Sequence, residues 1–232
     1  MFFFVPCAVT ILHSLVSMCE VVLDMENQLP KLEATAEDLG LMLGVIEKEI
    51  LHVTRAAVSK GHKWFGAAIL DGTTLDTVIA NTNNELDCPL FHGEVYTIIE
   101  WSKMIPAEER GAAAKSSIFL STHEPCCMCI SSIVWSGFQK VYYLFPYSLT
   151  SAQGIPHDIN TMHELWGVPT YRKQSKFCST ACIMDMVDEL PDSDEKTSLK
   201  ERVDKLVSMY EEISDFYHTE KAGNAKNSLA FG

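Results

Sequence analysis

Between residues 30 and 60, apolar side chains return at intervals of three and four: Leu39, Met42, Leu43, Ile46, Ile50 and Val53. This spacing predicts an amphipathic helix. The period then changes. Residues 64–70 form an apolar run, Trp-Phe-Gly-Ala-Ala-Ile-Leu, expected of a buried strand. Asp71-Gly72-Thr73 reads as a turn, and residues 75–80 return as a second strand. Residues 81–90 are polar and contain Pro89, so a loop is expected there. A helix opens at His92, runs toward Met104 and stops before Pro106. The second half repeats this logic. Residues 116–121 read as a strand, Pro125 suits the first turn of a helix ending near Gly137, and residues 140–145 read as a fourth strand.

After Pro146, residues 156–166 suggest a short helix and 168–171 a short edge strand. Cys178 and Cys182, four apart, read as small apolar core residues sharing a helix face. Residues 185–195 are acidic, contain Pro191 and read as a connector. Leu199, Val203, Leu206, Tyr210, Ile213 and Tyr217 mark an amphipathic helix, expected to pack on the domain or on a partner subunit. Strands alternating with helices imply an α/β layer with a largely parallel sheet. The chain divides into an apolar extension (1–30), a central domain (31–177), a helical appendage (178–218) and a loose tail (219–232). There is no internal repeat.

Charge narrows the range of partners. Thirty-one acidic against eighteen basic residues give a formal net charge of -13, and the basic residues do not cluster. Such a surface repels phosphate backbones, so a small, weakly charged substrate is favoured over nucleic acid. Residues 1–19 contain no charged side chain. That length suits a short membrane span or a signal-peptide core, but no basic residue precedes the run and no clean small-x-small site follows it. An upstream extension with Met25 as the working start, or a packed N-terminal helix, is preferred, and no membrane association is expected. Targeting stays open.

Eight cysteines invite a disulfide framework, but such scaffolds are short and cysteine-dense. The tight group Cys126, Cys127 and Cys129 instead suggests metal chemistry in a reducing compartment, which favours the cytoplasm. His92-Gly93-Glu94 precedes Pro125-Cys126-Cys127-Met128-Cys129 after a long gap. Two thiolates and one imidazole suit Zn2+, cancel its charge, and leave a fourth position for water. Cys126 and Cys129 are three apart at a predicted helix start, where the helix dipole favours thiolate. Glu94, two residues from His92, is placed to move that water's protons, first as base and then as acid. The alternative is a closed, inert Cys3His site completed by Cys127 or Cys88. That site has no use for Glu94, and Cys127 is rotated ~100° from Cys126 on a helix, toward packing.

At these residues the chain resembles the cytidine deaminase-like superfamily, whose zinc enzymes carry H-x-E followed by P-C-x-x-C. The closest resemblance is to the branch with fungal cytosine deaminase, bacterial-type guanine deaminase and tRNA adenosine deaminase, over residues 64–147. It implies a three-layer α-β-α fold with a mixed, mostly parallel sheet of about five strands and C-terminal helices. The metal ligands correspond to His92, Cys126 and Cys129, and the proton shuttle to Glu94. Asn81 matches an asparagine that binds base or sugar, the backbone at Gly93 would meet a substrate carbonyl, and residues 65–67 resemble the strand lining the pocket. Phe65, as part of that strand, is a candidate substrate contact, and Phe91 is the aromatic candidate to stack on the base, with a core role as its alternative. His157 and Asp158, in a loop unlike that of any of the three enzymes, either read the substrate or serve as a loop histidine and a helix cap.

Substrate clues diverge. Glycine at position 93 resembles the cytosine form, whereas Glu124-Pro125-Cys126-Cys127-Met128-Cys129 resembles the purine and tRNA form. The expected function is zinc-dependent hydrolytic deamination of a base, nucleoside or nucleotide, with a purine favoured. The alternatives are tRNA adenosine deamination, which calls for a basic track beside the pocket, and a non-catalytic zinc-stabilised interaction module. The resemblance also implies a homodimer.

Overall fold

A computed structural model describes residues 28–221. The apolar run at 1–19 and residues 222–232 of the expected tail lie outside the described residues. The sheet has five strands in the order β2-β1-β3-β4-β5: β1 Gly66–Asp71, β2 Thr77–Thr82, β3 Ser117–His123, β4 Lys140–Phe145 and β5 Ser179–Cys182. It is mixed, as expected, but only half parallel. β2–β1 and β1–β3 are antiparallel, and β3–β4 and β4–β5 are parallel. The reason lies in the first turn: Asp71 Oδ1 accepts from the backbone N–H groups of Thr73 and Thr74, folding β1 straight back into β2 as a hairpin.

Helix α1 (Ala36–Val45) starts at Thr35, whose side chain and that of Asp38 cap each other's backbone. It continues through a π-turn (Ile46–Ile50) into α2 (Leu51–Val58). The wide turn shifts the apolar phase, so Thr54 is buried and Val53, expected in the core, is only half-buried. Helix α3 spans Gly93–Met104, α4 Arg110–Ser116 and α5 Cys127–Trp135. After β4 come α6 (Tyr147–Ala152), α7 (His157–Trp166), α8 (Ile183–Glu189) and α9 (Asp194–Lys221).

Two apolar layers sandwich the sheet. Ala68, Leu70, Leu120 and Leu144 face α1, α2, α8 and α9, while Ala67, Ile69, Phe119 and Val141 face α3 and α5. Fully buried Trp64 packs edge-on against Tyr217 of α9. The stripe from Leu199 to Tyr217 is therefore buried within the chain, in the same core as the sheet.

Three local expectations need correction. Residues 168–170 are exposed and form no strand; the edge strand is β5, which takes the place expected of a helix around Cys178 and Cys182. Four residues with serine and threonine among them carry no apolar alternation, and pairing with β4 places them. Residues 185–189 are helical, since Ile183 and Val187 anchor one buried face while Asp185, Asp188 and Glu189 point to solvent. Among the described residues, no helix is long and apolar enough to cross a membrane.

Candidate metal centre and its cavity

β2, β3 and β4 run in the same direction, so their C-terminal ends at Thr82, His123 and Phe145 lie along one edge of the sheet. The segments leaving that edge build the site, as is usual for open α/β sheets. His92 is the N-cap of α3 and Cys126 the N-cap of α5, both with extended backbone, and Cys129 lies in the first turn of α5. The donor atoms of His92, Cys126 and Cys129 lie within 4.8 Å of one another. His92 Nδ1 is 3.7 Å from each sulfur. A tetrahedral zinc with ordinary Zn–S and Zn–N bonds separates such ligand atoms by about 3.6–3.8 Å. The spacing and the two-sulfur, one-nitrogen set therefore fit zinc. Cys127 is outside this group; its sulfur is 3.6 Å from Thr161 Oγ1, and it lines the cavity instead of turning into packing.

Glu94, in the first turn of α3, is 4% exposed, and Ser121 Oγ of β3 donates to its Oε1 at 3.1 Å. Burial, then the negative charge of Cys126, raises its carboxyl above the usual range. Burial pulls the His92 imidazole down, but the Cys126 sulfur, Glu85 and Glu94 outweigh it and lift it to about 9. Hydrogen bonding from Cys129 and then from His92 holds the Cys126 thiol well below its ordinary range, whereas burial pushes Cys129 up.

Sequence reasoning missed the support behind His92. Glu85 Oε1 lies 3.6 Å from His92 Nε2, on the side of the ring opposite the sulfurs. Glu85 is 2% exposed and is itself held by Lys63 Nζ at 3.0 Å, the Lys63 backbone N–H at 3.2 Å and Asn83 Nδ2 at 2.9 Å. A carboxylate behind a ligating imidazole fixes which nitrogen carries the proton. In sequence, Glu85 and Lys63 look like surface charges in polar stretches; only the fold buries them together.

Other expected contacts fall differently. The Gly93 N–H donates to Asn83 Oδ1 at 2.5 Å, so it is already engaged and is not free for a substrate carbonyl. A Cβ on Gly93 would come within 2.6 Å of the Phe65 carbonyl oxygen and 2.9 Å of Gly66 Cα. Close packing of α3 on β1 thus demands glycine. Asn81 stays in the β1–β2 ladder opposite Ala67, does not line the cavity, and leaves its Nδ2 buried without a protein partner. Phe65 is buried against Trp64 and His123, and Phe91 packs on Tyr96; neither lines the cavity.

The cavity beside His92 has a volume of about 290 Å³. Its lining comes from three stretches of chain: Lys63 with the segment from Glu85 to His92, Cys126 to Met128 at the start of α5, and a wall from Ile155 to Thr161 that includes His157 and Asp158. Burial, and then the charge of Cys126, raises the Asp158 carboxyl well above its usual range.

Residues 45–145 match the family described as the cytidine and deoxycytidylate deaminase zinc-binding region. No curated protein matched the chain. Among solved structures it is similar to guanine deaminase from Nitrosomonas europaea, with 17% identity, 75% of this chain and 87% of that one covered, and a TM-score of 0.47. Guanine deaminase from Bacillus subtilis gives 21% identity, 56% and 83% coverage and a TM-score of 0.43. A structure from a study of A-to-I editing by tRNA:A34 deaminases gives 13% identity, 67% and 99% coverage and a TM-score of 0.42. Residues 45–145, which hold His92, Glu94, Cys126 and Cys129, thus match a zinc-binding deaminase region, and the donor set among them fits that description.

Proposed function

We propose that the chain is a zinc-dependent hydrolytic deaminase of a nucleobase, nucleoside or nucleotide, with a purine favoured, acting on the C–N bond of a cyclic amidine and releasing ammonia. The observation that carries this reading is the buried carboxylate of Glu94 beside the His92, Cys126 and Cys129 donor set. A purely structural zinc site needs no such group. His92, Cys126 and Cys129 would hold the ion. Zinc, when bound, supplies a Lewis acid that makes water nucleophilic near neutral pH.

Glu94 does the proton work. Ser121 donates to Oε1, and the carboxylate would take one proton from water and pass it to a ring nitrogen of the base, then take the second from the hydroxyl now on the ring carbon and deliver it to the departing amine. The bond from ring carbon to amine breaks, a carbon–oxygen bond from water forms, and ammonia leaves. His157 and Asp158 line the cavity and are the residues we assign to reading the base. The packing requirement at Gly93 removes the clue that pointed to cytosine, so the purine-like cysteine motif carries more weight.

Among the cavity's lining residues, the one lysine is bound to Glu85, and Asp158 adds a second carboxylate. This balance favours an uncharged base or nucleoside over tRNA. The expected homodimer must use a face other than the buried stripe of α9, and light scattering reads it directly. Thiolate ligands last best in a reducing compartment, in keeping with the cytoplasm.

The deciding experiment is ammonia release from a panel of bases, nucleosides and nucleotides by zinc-loaded protein, with Glu94→Gln as control. Release from at least one purine, abolished in E94Q, supports the reading. Activity on tRNA alone would replace the substrate, and identical behaviour of wild type and E94Q would leave an interaction module.

A further inference from the structure

The cavity wall from Ile155 to Thr161 comes from residues beyond the family match, which ends at residue 145. Something outside that match must therefore hold the wall against the metal centre. Gln153, at the end of α6, is 8% exposed and stands where three cavity-forming segments meet. Its Oε1 accepts from Trp64 Nε1 at 3.1 Å, and Trp64 follows the cavity residue Lys63. The same oxygen is 3.0 Å from His123 Nε2, and His123 stands three residues before Cys126. Gln153 itself stands two residues before Ile155, the first residue of the wall.

The proton assignment follows from the donors. An indole N–H only donates, so the Gln153 atom facing it is the oxygen. The His123 Nε2 must then carry the hydrogen, and its Nδ1 is left to accept from Thr122 Oγ1 at 3.0 Å. The backbone carbonyl of Gln153, distinct from its side-chain oxygen, is held by α9. Ser214 Oγ donates to it at 3.0 Å and His218 Nε2 at 2.9 Å, both from α9. The His218 ring also presses on the next residue: a Cβ on Gly154, whose φ is +86°, would come within 2.8 Å of His218 Nε2.

We propose that Gln153 is a positioning residue for substrate selection, and that the C-terminal helix α9, through Ser214 and His218, sets the place of the wall carrying His157 and Asp158. The metal ligands do not depend on this grip, because they are anchored at the starts of α3 and α5. The kinetic part of the inference rests on the deaminase reading; the structural part does not.

The test uses the full zinc-loaded chain as wild type, Ser214→Ala, His218→Gln and the double variant S214A/H218A. Zinc content, amide hydrogen exchange over residues 154–161, and KM and kcat on guanine, adenosine and cytosine are measured. In the double variant, exchange over 154–161 quickens and KM rises, each roughly ten- to a hundred-fold, two lost hydrogen bonds at about three- to ten-fold each. Zinc content is retained and kcat stays within about two-fold, since only binding is altered. H218Q, which keeps a donor, behaves like wild type. Unchanged exchange and KM would overturn the inference, as would loss of zinc in step with the exchange. Should the double variant fail to fold, S214A decides: faster exchange over 154–161 than in wild type supports the grip, and wild-type exchange ends it. If the wild type deaminates none of the three, the kinetic arm moves to the wider panel of bases, nucleosides and nucleotides, whose failure would sink the deaminase reading, while the exchange arm still decides the role of α9.

Discussion

Glu85 and His92 face each other across the back of the metal centre, with Glu85 Oε1 3.6 Å from Nε2 while Nδ1 points at both sulfurs. A carboxylate in this position keeps the proton on Nε2 and leaves the Nδ1 lone pair for a metal. Glu85→Gln is expected to weaken zinc binding roughly 10–100-fold, the usual cost of losing such support. Competition against a chromophoric chelator measures it. Wild-type affinity would mean that Glu85 serves only to neutralise Lys63.

Cys127 and Cys129 make opposite predictions. Cys129→Ser is expected to abolish stable zinc binding, whereas Cys127→Ser keeps one zinc per chain, because the Cys127 sulfur faces Thr161 and stands outside the donor group. Metal analysis after dialysis separates the two. Loss of zinc from C127S would point to the closed Cys3His site.

Gly93 is a packing position. Gly93→Ala brings a methyl group against the Phe65 carbonyl and Gly66 Cα, neither of which can rotate away. Overpacking of this kind costs about 1–3 kcal/mol, to be read as a lower urea midpoint. A G93A protein with wild-type stability and altered base preference would return the glycine to substrate selection.

His123 gives the fold a pH dependence. Burial pushes its imidazole down to about 3, against an unfolded value of about 6.5. Between these values the unfolded chain binds a proton that the folded chain refuses. The contribution is complete above pH 6.5 and is lost as pH falls toward 3, with a slope of up to about 1.4 kcal/mol per pH unit. Urea unfolding at pH 7, 6 and 5 is expected to show this slope, and His123→Gln to flatten it by about one proton. Parallel curves for the two proteins would remove His123 as the source.

Lys173 fastens the segment after α7 to the cysteine loop. Its ammonium pairs with Glu124, which is 4% exposed and also accepts from the Tyr147 N–H, and lies 4.3 Å from the centre of the Tyr171 ring. Lys173→Met strands a buried carboxylate. Because Lys173 is partly exposed, the expected cost is about 1–2 kcal/mol, below that of a fully buried pair. Glu124→Gln in the same background should recover part of it. Additive losses in the double-mutant cycle would show that the pair is not coupled.

The sequence alone determined what depends on local period and on residue chemistry. Apolar spacing marked the helix before Trp64, the first four strands and the stripe from Leu199 to Tyr217, since burial of one face imposes a period that side chains must follow. The rare joint occurrence of His92, Glu94, Cys126 and Cys129 named a metal centre before any geometry was known. Tertiary structure decided what depends on distance between remote segments. It placed β5 by pairing with β4, buried Glu85 with Lys63, put Asn83 rather than Asn81 beside Gly93, and brought Gln153 between His123 and α9. A polar residue in a loop has no period and looks solvent-exposed in sequence; its role arises only when the chain closes around it and its hydrogen bonds must be made within the protein.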